Sequence, residues 1–444
     1  MLKDIYGNAV STTSRAALAK FDEALKQIRL YHGDPIGSLD AALGHDPEFS
    51  LAWAARAALL AQQTDALYAD EVARSLREAR AGRMNDRERE HLAGAIALAE
   101  GRLVESGFIF ARIAQEHPRD LLALQIAHIG CFFTGQQNEM RDWPLQALRA
   151  WRRGEEGHHA ILGMAAFGLE ECGDYGRAQA FGTEAVDTEP EDAWAVHAVA
   201  HVHEMRGDID AGVKWLEATA HGWGDCGLGV HNWWHLALLK LDAQDVKGVL
   251  ALYDQKVRPN DEGPVLMEML DASAMLWRLH LDGVNVGDRF ERLAKAWERT
   301  ADDGHYAFNN LHAAMAFLGA ERQADVARTL NALRREAAGD GDSAYMARAV
   351  GLPATEGFAA YSAGRFGEAV EKIASVRGVA QRFGGSHAQR DILSLTALQA
   401  AIRGGMKETA RALAAERLSH KPQSPWAGRL MRQASNAGAA RAAE

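Results

Sequence analysis

The stretch Gly173–Asp208, GDYGRAQAFGTEAVDTEPEDAWAVHAVAHVHEMRGD, begins and ends on the same Gly-Asp pair, 34 residues apart. In each pair the glycine tolerates the left-handed conformation that ends one helix, and the aspartate caps the next. Between the pairs runs an Ala-rich helical pattern, interrupted at Pro190. A proline pushes the residue before it out of the helical region, so the second helix of a pair has to stop there. The stretch reads as turn, helix, stop, helix, and the same turn again.

Outward from it, the spacing continues. Gly101 to Gly135 is again 34 residues, Gly135 to Gly173 is 38 and Gly283 to Gly319 is 36. Gly207 to Gly283 is 76, two such intervals, with the missing turn falling at Ala243-Gln244-Asp245. Gly364 and Gly405 follow at 45 and 41. Pro47 and Pro118 repeat the helix stop in Asp-Pro and His-Pro contexts. No period-two run points to strands. A repeat near 34 residues, with a helix on each side of a tight turn, is the signature of tetratricopeptide-type hairpins. The expected fold is all-α: about nine or ten tetratricopeptide-like helical hairpins stacked in a right-handed superhelix. It covers residues 1–444 as one unit, with atypical capping ends at 1–41 and 426–444.

Composition narrows the function classes. Of 444 residues, 48% are apolar, enough for a large core, which excludes wholesale disorder. Lys and Arg number 49 against 60 Asp and Glu, a formal charge of -11. That argues against nucleic acid or an anionic membrane as partner. Cys131, Cys172 and Cys226 form no CxxC pair, which suits a reducing compartment. Met1 to Arg15 carries no signal-like apolar stretch, and no run approaches the ~18 apolar residues of a membrane span. A soluble cytoplasmic protein is expected. Charge runs such as Asp86 to Glu90 read as solvated helix faces.

The chain has 18 His, and 11 of them fall between His158 and His312. Helical positions i, i+4 and i+7 share one face, because each residue advances about 100°. His197, His201 and Glu204 have that spacing, and His305, Asn309 and His312 repeat it. His231 and His235 are i, i+4, as are His387 and Asp391, and Asp271 and Arg278 are i, i+7. His159 and Glu170 lie within about 20° of each other. His203 points away from His201, and His32, His45, His91, His117, His128 and His420 fall on no stripe. If the first helix of each hairpin lines the inner surface, the stripes converge on one groove or central cavity.

Three chemistries fit that convergence. The first is a binding pocket for a small polar metabolite or peptide, lined by Trp234, Asp271, Arg278, His305, Asn309, His312, His387 and Arg390. The second is a divalent metal, Zn, Mn or Fe, on the four nitrogens of His197, His201, His231 and His235. Metal-assisted or His/carboxylate-catalysed hydrolase or lyase chemistry would then draw on His197, His201, Glu204, His231, His235 and Asp391. The third is a protein-interaction scaffold whose polar stripes hold neighbouring repeats in register. The pattern is not H-E-x-x-H, and the glycines at 222–229 match no nucleotide loop. Cys226, near His231 in sequence, is conceivable as a thiol nucleophile, though an incidental loop cysteine is the plainer reading. Ser386 with Gln389 reads as a capping box opening a helix, and Arg390 could assist an anion there. The tryptophans at 194, 215, 233, 234, 277 and 297 read mainly as hairpin packing, with Trp233 and Trp234 able to wall a pocket.

Several blocks together resemble the tetratricopeptide repeat protein 38 family. They are His197-Ala198-Val199-Ala200-His201-Val202-His203-Glu204, His231-Asn232-Trp233-Trp234-His235, Asp271-Ala272-Ser273 through Arg278, and Gly384-Gly385-Ser386-His387-Ala388-Gln389-Arg390-Asp391. Asp46-Pro47-Glu48-Phe49 near the start also fits, so the likeness spans nearly the whole chain. The resemblance implies a tetratricopeptide-like α-superhelix and no assigned reaction. Its motif blocks coincide with the histidine stripes. Cys226 matches nothing in it.

Overall fold

In the computed structural model, residues 2–260 and 263–437 are described. The chain gathers into two compact units, Met1–Val199 with Thr219–Gly229, and Ala200–Ala218 with Val230–Glu444. In the first unit, strands β1 (Leu2–Lys3) and β2 (Ala9–Val10) pair antiparallel, Leu2 opposite Val10. Two residues apiece are too few to write an alternating pattern into the sequence. Helices then pack as successive hairpins: α1 (Arg15–Leu30) with α2 (Pro35–His45), and α3 (Ser50–Ala61) with α4 (Ala69–Ala81). Next come α5 (Asp86–Ala99) with α6 (Leu103–Glu116), α7 (Leu121–Thr134) with α8 (Gln137–Ala147), and α9 (His158–Glu171) with α10 (Tyr175–Thr188).

Helices α11 (Ala193–Arg206) and α12 (Ile209–Trp223) each contribute residues to both units, and α13 (Gly229–Asp242) opens on the last residue of the first. The second unit continues with α14 (Val246–Leu252), α15 (Leu266–Leu281), α16 (Arg289–Trp297), α17 (Ala307–Gly319) and α18 (Gln323–Ala337). Helices α19 (Asp342–Met346) and α20 (Leu352–Ser362) run on through a π-helical turn at Ala347–Gly351; α19 packs on α18, and α20 pairs with α21 (Phe366–Arg377). Then come α22 (His387–Arg403), α23 (Lys407–His420) and α24 (Pro425–Ser435). The fold is all-α, made of tetratricopeptide-like helical hairpins.

Turn chemistry accounts for the punctuation. Gly207 sits at φ 75 between α11 and α12, in the left-handed region where a side chain is strained. At the interval without a glycine, Gln244 takes that role itself, at φ 64. Gly319 behaves differently from the other repeat glycines. It ends α17 inside the helix, the left-handed residue is Glu321 at φ 58, and a Cβ on Gly319 would lie 2.4 Å from the Phe290 ring. That glycine serves close packing, and the turn falls two residues later.

The two helices of a hairpin differ in how much of their circumference is covered. Every residue of α9 from His158 to Glu171 is buried, whereas α10 buries only Ala178, Gly182, Ala185 and Val186. Likewise α17 is buried from Ala307 to Leu318, while α18 buries a single stripe. A helix covered on all sides is an interior helix; one with a single apolar stripe is an outer one. Polar residues on the interior helices have therefore left water, and each needs a partner.

One reading of the surface is corrected here. Within Asp86 to Glu90, Arg87 and Glu88 are buried, not solvated. Arg87 and His91 both bond Asp120, and Glu88 accepts from the backbone N–H groups of Ser11 and Asn85 at 2.8 Å each. The charge run is half an interior network, because a run of five helical residues necessarily turns some side chains inward. Among the described residues, no helix is long and apolar enough to cross a membrane.

Candidate functional site

Three of the sequence-selected histidines come together in the second unit. His201 stands on α11; His231 and His235 stand one turn apart on α13. The rings of His201 and His235 are 4.4 Å apart between centroids, and those of His231 and His235 are 4.8 Å apart. Each of the three offers a ring nitrogen within 4.8 Å of the others. All three are buried.

Two of these rings are fixed by carboxylates. His235 donates from Nδ1 to Glu204 Oε2 at 3.0 Å. His231 donates from Nδ1 to Asp271 at 2.9 and 3.1 Å. An Nδ1–H committed to a carboxylate sets the tautomer, so the lone pair of the neutral ring is on Nε2. Glu204 is in turn held by Lys421, whose Nζ lies 3.3 Å from Oε1. Burial pushes the His235 imidazole well below its ordinary pKa, reinforced by His201, His231, Lys421 and Arg278. The shift favours the neutral imidazole, the form in which Nε2 carries a lone pair.

Trp234 forms one wall. Its ring stacks on His231 at 5.2 Å and meets His235 edge-on at 5.0 Å. The Arg278 guanidinium lies over it, 5.3 Å from the ring centroid. Arg278 and Asp271 both stand on α15 with the expected i, i+7 relation, and both are buried. Asp391, on α22, pairs with Arg417 of α23 at 2.6 Å. Burial would raise its pKa, but Arg417, Lys421 and Arg278 outweigh that and hold it below the usual carboxylate range.

Other selected residues lie elsewhere. His197 is buried on α11 one turn before His201, in the part of that helix assigned to the first unit. Asn309 and His312 are buried on α17, where His312 Nδ1 donates to the Phe308 carbonyl at 2.8 Å. His305 does not join them, contrary to the helical phase. It is exposed in the turn before α17, which starts only at Ala307. His387 is half-buried in the first turn of α22, whose capping box of Ser386 and Gln389 is formed as expected. Arg390 folds back onto the Gly385 carbonyl, beside the start of α22.

Several relevant residues gave no recognisable sequence signal. Lys421 and Arg417 belong to the site's charge network but follow no stripe. His91 and His128, set aside as incidental, are buried; His91 bonds Asp120, and His128 packs edge-on against Phe167 and Trp194. In the first unit His159 Nδ1 donates to Asp192 at 2.7 Å. Burial raises the pKa of the Cys226 thiol, the opposite of what a nucleophile needs. Open surface grooves of about 500 and 550 Å³, on α10 and α12, contain none of the histidines.

No protein-family model matches the chain. Among solved structures, it is similar to a chain of the crystal structure of the APC/C hetero-tetramer Cut9-Hcn1. The identity is 12% and the TM-score 0.45, with 94% of this chain and 76% of that one covered.

Proposed function

We propose that the protein is a helical-repeat binding protein that holds a divalent cation, Zn, Mn or Fe, in its second unit as part of a pocket for a small polar ligand. The ligands are His201, His231 and His235. The observation that carries this reading is the pair of carboxylate-oriented rings. Glu204 and Asp271 fix Nδ1 of His235 and His231, and the ring nitrogens of all three histidines cluster within 4.8 Å. An outer carboxylate that orients the imidazole and raises its basicity is the usual second layer of a histidine metal centre. The block resemblance to the tetratricopeptide repeat protein 38 family supports the same residues as one functional set.

The arrangement favours binding over catalysis. Glu204 and Asp391, the two carboxylates available as bases, are engaged by Lys421 and Arg417. The reading is tested by melting EDTA-treated protein with and without Zn²⁺, Mn²⁺ or Fe²⁺. One ion raises Tm by several degrees, as expected for a ligand that binds only the folded state. His231→Ala and His235→Ala lose that rise, while His203→Ala, buried but off the face, keeps it. If no ion shifts Tm, and the His231→Ala and His235→Ala variants simply melt lower, the histidines are inter-repeat glue and the protein is a scaffold.

A further inference from the structure

Arg278 is 1% exposed, yet among the described residues no carboxylate lies within ion-pair distance of it. Its hydrogen-bond partners among the described residues are two backbone carbonyls, Ala274 at 3.0 Å and Ala388 at 2.7 Å. Asp391, Glu204 and Asp271 act on it only at longer range. A guanidinium has five N–H donors, and two carbonyls leave several of them to be satisfied. Beside it, Trp234 is fully buried and its indole Nε1–H has no acceptor among the described residues. Trp277 and Trp297, equally buried in the same unit, each bond a hydroxyl, Thr396 Oγ1 at 3.0 Å and Ser273 Oγ at 2.9 Å. Within the second unit the indoles of Trp277 and Trp297 are satisfied, whereas that of Trp234 lacks an acceptor and lies beside a cation with no ion-pair partner; Trp194, in the first unit, lacks one as well.

A buried cation without a counter-charge is strongly disfavoured, and a buried donor without an acceptor adds to the cost. Both deficits are met by one group: an oxygen-bearing anion. We infer that Arg278 and Trp234 form an oxyanion subsite of the pocket, so that the ligand carries a carboxylate or phosphate group. Arg278 presents the planar donor fork that suits either group, and the indole N–H supplies one further bond. This inference deepens the binding reading above and takes from it only that the cluster is a ligand site; it does not require the metal.

The test is calorimetric titration of the full chain with sodium phosphate and, separately, sodium succinate, against KCl at equal ionic strength. It is run on EDTA-treated and on Zn²⁺-loaded protein. One of the two anions binds the wild type with 1:1 stoichiometry, and which one it is separates phosphate from carboxylate ligands. Trp234→Phe, which keeps the ring and removes the N–H, weakens binding about tenfold or more, the worth of one bond to a charged acceptor. Arg278→Met abolishes binding and melts higher than wild type without anion, because an apolar side chain of similar size replaces an unpaired buried charge. The inference is overturned if neither anion binds beyond the KCl control, or if both variants bind as wild type does. Anion binding that survives EDTA supports the subsite even where no metal binds. Metal binding without anion binding overturns the subsite alone.

Discussion

His312 and His128 are histidines kept neutral by their surroundings, and that makes stability depend on pH in a defined direction. Burial lowers the His312 pKa to about 4, with Arg278 adding to it and the bond to the Phe308 carbonyl opposing. Burial lowers His128 to about 3. Unfolded, each titrates near 6.5, so as pH falls the unfolded chain takes up the proton first. Stability from these groups is complete above about pH 6.5 and is lost as pH falls toward 4 for His312 and 3 for His128. Each group contributes a slope of about 1.4 kcal/mol per pH unit across its window. Denaturant unfolding of wild type and His312→Asn between pH 6.5 and 4.5 isolates one of them. The variant's stability falls less steeply by about 1.4 kcal/mol per unit; parallel curves would mean that His312 titrates normally.

At the scale of the element, the hairpin turns show which sequence signals are local and which are not. The Gly-Asp turns at 173 and 207 were legible because the left-handed residue and the cap are adjacent in sequence and depend on little else. Gln244 and Glu321 hold the same conformation without a glycine, and both are exposed. A non-glycine residue there costs about 1–2 kcal/mol, of which glycine's greater unfolded entropy returns about half. Gln244→Gly therefore raises unfolding free energy by about 0.5–1 kcal/mol, whereas Gly207→Ala lowers it by about the same amount. Urea melts in which the two signs are reversed would place the turns elsewhere. The start of α17 divides one of the stripes. The phase of His305, Asn309 and His312 is sound only if one helix carries all three, and a helix that begins at Ala307 removes the first.

At the scale of the whole molecule, the repeat period gave the all-α hairpin fold, and the i, i+4 spacing selected the histidines that meet. What the sequence did not disclose are the partners that fix them. Lys421 reaches Glu204 across 217 residues, and Asp271 reaches His231 across 40, distances over which no periodicity connects two side chains. Burial was equally hidden: an interior helix covered on every side and an outer helix with one stripe differ by their neighbours, and the same Ala-rich pattern serves both. The most direct measurement on the central claim is the metal content of protein purified without a His-tag, beside His235→Ala prepared identically. Wild type carries about one equivalent of a single divalent metal per chain, and the variant carries less than about 0.1. Less than about 0.1 equivalent in both, from cells grown with adequate Zn, Mn and Fe, would contradict the metal centre.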